Sequence, residues 1–280
     1  MVRNLIKRFL SNSSIPQGVA EPLPFLSRDR AATLLERYRS RHIERTGYAT
    51  VADYCDSVDH VPELTGRQGD LKDVQRPWAF KTILALVPPG GRLLEIGAGK
   101  PDVAEALCDC GYKVIAVDPY QGAGNGPTEF TEYRKHFPKV EIRRELFTES
   151  LELMPASFDA IYSISTLEHI ADLNPIFRGI RKFLKPGNGL SIHCIDVVTR
   201  GMDDAYHLQQ AAKLLRLHGE PDGAWDQLLT RANEDLETYF LGPSGHQLWR
   251  GSTPYEKFPY RKVMSLQTYA RTSDLLLPNL

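Results

Sequence analysis

From Arg92 to Ile195 the chain alternates short apolar runs with amphipathic stretches, and nothing else in it constrains the fold as strongly. Arg92-Leu93-Leu94-Glu95-Ile96 is too short for a helix and ends in Gly97-Ala98-Gly99. Asp102 to Cys110 carries helical spacing and is stopped by Gly111. Lys113 to Val117 reads as a second strand ending at Asp118, with further strands expected over Val140–Phe147, Phe158–Ile164 and Leu190–Ile195. Ile176 to Leu184 is expected to be a helix, stopped by Lys185-Pro186-Gly187. Strands separated by helices pair in parallel through crossovers that cover both faces of the sheet. The expected class is therefore α/β, a doubly wound, Rossmann-like, mostly parallel sheet with helices on both faces.

The flanks are less regular. Residues 1–75 are expected to form an N-terminal helical and irregular cap, 76–200 the core, and 201–280 a helical lid and tail, integrated into one domain. Within the cap, Arg30 to Arg45 reads as a helix and residues 46–72 as irregular, and Pro77 suits the first turn of a helix running to Leu86. Asp203–Leu217 and Ala224–Tyr239 read as two helices, and Lys262–Ala270 as a last strand. Residues 1–10 space their apolar side chains as an amphipathic helix, too short to span a bilayer. They suit docking on the protein body or a weak contact with a membrane surface.

Composition enters as an exclusion. A formal net charge of −1 over 280 residues gives no drive toward nucleic acid, so no nucleic-acid partner is expected. Four cysteines are too few for a disulfide scaffold, and Cys108-Asp109-Cys110 lacks metal or redox spacing. A reducing, cytoplasmic setting is expected.

The glycine turn carries the chemistry. A strand that ends in Gly-x-Gly and opens a helix lets backbone approach a ligand closely. Asp118, 19 residues after Gly99, stands where a carboxylate accepts both hydroxyls of a ribose. A dinucleotide fingerprint wants a glycine at the sixth position, where this chain has Asp102. With Glu95 just before the turn, the corner suits a ligand bearing positive charge, as S-adenosylmethionine does. The chain resembles the class I S-adenosylmethionine-dependent methyltransferases across Trp78 to Asp196. The resemblance rests on five segments in order: Glu95–Gly99, Val117-Asp118-Pro119, Ser157–Ser163, Thr166-Leu167-Glu168-His169-Ile170, and Phe183–Gly187. Pro101 departs from it, standing where many members have a third glycine.

The resemblance implies S-adenosylmethionine as cofactor and S-adenosylhomocysteine as product. Glu95, Gly97, Ala98 and Gly99 would lie along the methionine portion and Asp118 on the ribose. Pro119 or Tyr120 would cover the adenine, Leu146 and Phe147 would stand at the end of the third strand, and Ser163, Ile164 and Ser165 would run beside the methionine tail. Methyl transfer to a hydroxyl also needs a base. Candidates at the strand ends are Glu168, His169, His193 and Asp196, with His207 opening the covering helix. Glu168, His169 and His193 could alternatively hold a metal ion, a weaker reading because Ser165 stands where a Glu-x-x-Glu-His motif has its first glutamate. Trp249, Arg250, Tyr255 and Arg261 combine aromatic platforms with fixed cations and are candidates for the acceptor side. The expected acceptor is a small molecule or glycan, methylated on a hydroxyl. Amine methylation of an aminosugar, an RNA or protein acceptor, and a non-catalytic cofactor-binding subunit are the alternatives.

Overall fold

The computed structural model describes residues 25–66, 71–122, 128–198, 204–236 and 263–276, with single positions at 243 and 247. The basic amphipathic segment 1–10 and Trp249, Arg250, Tyr255 and Arg261 lie outside these residues. In chain order come α1 (Arg28–Tyr38), β1 (Thr46–Tyr48), α2 (Val51–His60), α3 (Lys72–Leu86), β2 (Arg92–Ile96), α4 (Asp102–Asp109), β3 (Lys113–Asp118), α5 (Phe130–His136), β4 (Glu141–Arg144) and β5 (Ala160–Ile164). A short 3-10 turn (Leu167–His169), α6 (Asn174–Phe183), β6 (Leu190–Val198), α7 (Asp204–Leu217), α8 (Ala224–Glu234) and β7 (Val263–Arg271) follow.

The seven strands form one sheet in the order β1-β7-β6-β5-β2-β3-β4. Strands β2 to β6 are parallel, while β7 runs antiparallel between β6 and β1. Alternate residues of β2 and β3 feed opposite cores. Leu93, Val114 and Ala116 join Leu34, Phe80, Ile83 and Leu107 on one side. Leu94, Ile115 and Val117 join Phe177, Ile180, Leu214 and Leu228 on the other. The chain winds outward from β2 through β3 to β4, then returns to β5 and β6 on the opposite side. Strand order reverses between β2 and β5, and in such sheets the crevice at their carboxyl ends binds ligands.

Four sequence expectations are corrected. Residues 46–72 contain two elements: β1 exists because Thr46, Gly47 and Tyr48 pair with Thr268, Gln267 and Leu266, a partner far along the chain. Helix α2 starts at a capping box in which Thr50 and Asp53 satisfy each other's backbone N–H groups. Pro77 lies inside α3, which begins at Lys72. The third parallel strand spans only Glu141–Arg144, since an edge strand extends only as far as its single partner β3 supports it. Strand β6 reaches Val198 because β7 pairs with it along nine residues. Among the described residues no helix is long and apolar enough to cross a membrane.

Candidate active site

A cavity of about 950 Å³ opens at the carboxyl ends of β2, β3 and β5. Its floor is the turn after β2, where Gly97 (φ 68°) and Gly99 (φ 51°) adopt left-handed backbone that glycine alone takes cheaply. Gly97 is also hemmed in: a Cβ there would stand 2.2 Å from Thr166 Cγ2. Thr166 Oγ1 donates to the carbonyls of Gly97 (3.2 Å) and Ile164 (3.1 Å), tying the turn to the segment after β5. Ser165 beside it is itself left-handed at φ 49°.

Asp118, ending β3, accepts the Gly99 N–H (3.0 Å) and the Tyr120 N–H (2.7 Å). Each carboxylate oxygen keeps accepting capacity beyond these bonds, and Asp118 lines the cavity. Glu95 lies on the same wall, 4% exposed, and its Oε2 is buried with no hydrogen-bond partner among the described residues. Burial pushes its carboxyl up to about 8 against the pull of the nearby Tyr162 hydroxyl and of Arg76, with Asp102 and Asp118 adding to the rise.

The far end of the cavity is built around Asp196. Residue 194 turns its carbonyl to Ser165 on the β5 side, so by strand alternation Asp196 also turns its N–H and C=O to that side, beyond the end of β5. Glu168 Oε1 accepts the Asp196 N–H at 3.0 Å, and His207 Nδ1 meets the Asp196 carbonyl at 2.9 Å. A carbonyl only accepts, so His207 carries its proton on Nδ1 and presents Nε2 as a bare acceptor. Glu168, His169, Tyr206 and His207 all line the cavity. Burial and the neighbouring Asp196 charge raise the Glu168 carboxyl to about 8. Burial, with His207 and Lys72 nearby, lowers the basicity of His169 against the pull of Asp196.

Several expected residues fall elsewhere. His193 is fully buried and faces the core: its Nδ1 meets Ser163 Oγ at 2.7 Å and its Nε2 meets Ser191 Oγ at 2.8 Å. Ser163 is thereby turned away from the cavity as well. Ser191 Oγ continues to His218 Nε2 (3.1 Å), and His218 Nδ1 to Thr268 Oγ1 (3.0 Å). Thr268 Oγ1 meets Thr46 Oγ1 (3.0 Å), which donates to Glu220 (2.9 Å). With a carboxylate as last acceptor, every donor in this chain points outward from Ser163, which places the proton of His193 on Nε2 and that of His218 on Nδ1. With both His193 nitrogens engaged, the set Glu168, His169, His193 is not assembled around a metal position. Leu146 is 65% exposed and off the cavity, whereas its neighbour Phe147 lines it. Tyr120 packs beneath the turn, its hydroxyl donating to the Gly99 carbonyl at 3.0 Å, and Pro119 takes the cavity wall. Asp196 acts through its backbone and accepts Gln75 Nε2 at 2.7 Å on its side chain. Glu95, Gly97, Ala98, Gly99, Asp118, Pro119, Phe147, Ile164 and Ser165 all meet at the cavity. Sequence reasoning missed Lys72, Arg76, Thr166 and Tyr206; the first two were lost by starting α3 at Pro77.

The buried groups make stability depend on pH with a definite sign. Glu95 and Glu168 titrate higher when folded than unfolded, so their contribution is present at acid pH and lost as pH rises toward about 8. His193 is pushed down to about 3 and His218 well below its ordinary value, both by burial, so their contribution is lost as pH falls below the ordinary histidine range. Below about pH 6.5 the two effects oppose; above it only the carboxyls act, each at up to about 1.4 kcal/mol per pH unit. Urea unfolding of the ligand-free protein is expected to show stability falling between about pH 6.5 and 8, with Glu95→Gln removing roughly half of the fall. A flat profile in the parent protein would contradict the assignment.

Comparison with known proteins gives the following likenesses. A family model described as a methyltransferase domain matches residues 71–270. A ubiquinone biosynthesis O-methyltransferase of Xanthomonas campestris pv. campestris is 30% identical over 112 residues, 39% of this chain and 44% of that protein. The one from Pseudomonas putida is 30% identical over 100 residues, 35% and 41% of the two chains. The matched stretch thus spans less than half the length of these curated relatives. Among solved structures, geranyl diphosphate C-methyltransferase from Streptomyces coelicolor aligns over 87% of this chain and 98% of its own, at 15% identity and a TM-score of 0.46. An S-adenosylmethionine-dependent methyltransferase from Mesorhizobium loti aligns over 46% and 56%, at 23% identity and a TM-score of 0.37.

Proposed function

This chain belongs to the class I S-adenosylmethionine-dependent methyltransferases, and from that membership we propose that it methylates a hydroxyl of a small molecule or glycan, with His207 as the base. The observation that carries the reading is the His207 tautomer. Its Nδ1–H is committed to the Asp196 carbonyl, which leaves Nε2 free to take a proton inside the cavity that also holds the glycine turn.

The residues present fit the cofactor. Gly97 and Gly99 leave room for close approach, Asp118 offers carboxylate oxygens for ribose hydroxyls, and the unpartnered Glu95 Oε2 offers a counter-charge to an ammonium group. Arg76, on the same wall, suits a carboxylate. S-adenosylmethionine, when bound, supplies a methyl group made electrophilic by its sulfonium. The protein's part is to orient the acceptor oxygen and to remove its proton, which His207 Nε2 does in this reading. Glu168 and His207, anchored to the two main-chain groups of Asp196, hold the acceptor end in a fixed shape.

Glu95 ties cofactor binding to pH. Its carboxyl is protonated below about 8 in the ligand-free protein and ionises to face an ammonium, so binding releases a proton. Affinity is expected to rise by up to about tenfold per pH unit and to level off above pH 8, and Glu95→Gln to abolish the dependence. Calorimetry in buffers of different ionisation heat measures the proton released; none released would remove Glu95 from the ammonium site. The acceptor is found by incubating the protein with methyl-labelled cofactor and sugars, glycolipids, phenols and amines. Label transferred to hydroxyl compounds supports the reading, and label confined to amines overturns it.

A further inference from the structure

A second cavity, of about 140 Å³, lies on the other face of α3, between α2, β1 and β7. Val74, Trp78 and Lys81, spaced i, i+4, i+7 along α3, turn toward it, whereas Lys72 and Arg76 turn toward the large cavity. Gly47 is the residue paired with Gln267 across β1 and β7, and a Cβ there would stand 3.2 Å from the Glu44 carboxylate. Gln267 is 4% exposed and lines the cavity, and its Nε2 has no hydrogen-bond partner among the described residues. A buried amide donor left unpaired costs about 1–3 kcal/mol, so an acceptor belongs there.

Each carboxylate around this cavity has at least one partner. Asp53 accepts the backbone N–H and hydroxyl of Thr50. Asp56 accepts from Lys81 Nζ at 2.5 Å, Arg41 at 3.2 Å and Tyr38 at 3.2 Å. Glu44, at the rim, pairs with Arg231 at 3.4 Å. Arg37 also lies 3.7 Å from Asp56, so one carboxylate faces three cations. Donors remain beside them: Gln267 Nε2, the remaining N–H groups of Arg41, and the third proton of Lys81 beside Ser57. The rest of the wall includes Trp78, Ile43 and Val74, which suit an apolar body.

We propose that this cavity is a second ligand site, for a small organic carboxylate, held by Gln267 and Arg41 with its apolar part against Trp78. Because α3 lines both cavities, an occupant here bears on the helix that carries Lys72 and Arg76. The proposal does not depend on which acceptor is methylated.

Butyrate is the probe, with n-butanol as its uncharged counterpart and potassium chloride as the control for ionic strength. The full chain, labelled with ¹⁵N, is titrated while the Trp78 indole and Gln267 amide resonances are followed. Saturable shifts of both by butyrate in the millimolar range, and none by butanol, are expected. Gln267→Leu removes the donor and Gln267→Glu replaces it with a repelling charge; each is expected to weaken butyrate at least about tenfold, the loss of one charge-assisted hydrogen bond. Affinity for S-adenosylmethionine, measured in the same samples, verifies that each variant is folded. Shifts that grow linearly with any salt, equal response to butanol, or undiminished binding by both variants would overturn the proposal and leave the cavity to water.

Discussion

Glutamine in place of His207 is expected to lower kcat by about 10²–10⁴-fold while affinity for S-adenosylmethionine stays within about twofold. Glutamine can still donate an N–H to the Asp196 carbonyl, as His207 Nδ1 does at 2.9 Å, so the helix start is preserved. It cannot accept and carry a proton. His169→Gln is the control: this ring lines the same cavity, and burial lowers its basicity. Its replacement is expected to cost less than about tenfold, mostly in KM. If the large loss falls on His169→Gln and spares His207→Gln, the roles are reversed and the tautomer argument fails.

Gly97→Ala is expected to lower cofactor affinity by more than about 100-fold. Two separable costs produce this. Left-handed backbone at φ 68° costs a non-glycine residue about 1–2 kcal/mol, roughly tenfold. The new methyl would also stand 2.2, 2.6 and 2.9 Å from Thr166 Cγ2, Oγ1 and Cβ. Thr166 cannot yield without losing its bonds to the Gly97 and Ile164 carbonyls and shifting the turn that carries Glu168 and His169. Adding Thr166→Gly removes the clash and leaves the backbone cost, so the double variant is expected to recover to within about tenfold of the parent. Gly111→Ala provides the contrast: its φ is 89° and nothing lies within 4 Å of the new methyl. It is expected to lower stability by about 1–2 kcal/mol and leave affinity unchanged. Near-native affinity in Gly97→Ala, measured calorimetrically, would remove the turn from the cofactor site.

The elements that were legible are those whose signals are local. The β2 strand, its glycine turn, α4 and β3 follow one another within 27 residues, each bounded by its own stop, and all are where the pattern puts them. The glycine-turn end of the cavity was legible for the same reason, since Glu95 to Gly99 and Asp118 sit on those elements. The end lined by Glu168, His169 and His207 was not. A strand buried on both faces gives no sign of which face meets a cavity, and His193 turned out to face Ser163 and Ser191. Short β1 was invisible because its three residues become a strand only through Thr268, Gln267 and Leu266. Lys72 and Arg76 were passed over because a proline was read as a helix start, although α3 carries it inside.

The polar chain from Ser163 to Glu220 has a consequence for how the sheet is assembled. Ser163, His193, Thr268 and Thr46 are register partners across four adjacent strands, a single rung of the ladder, with Ser191 and His218 linking His193 to Thr268. Apolar side chains on a face buried on both sides tolerate a slip of two residues, because leucine and isoleucine substitute for one another in a core. A slipped rung here would strand two imidazoles and three hydroxyls in a dry interior, at a cost of about 1–3 kcal/mol for each unpaired group. Those groups thus penalise every wrong alignment of β5, β6, β7 and β1. His193 favours one alignment of β5, β6, β7 and β1 over its slipped alternatives.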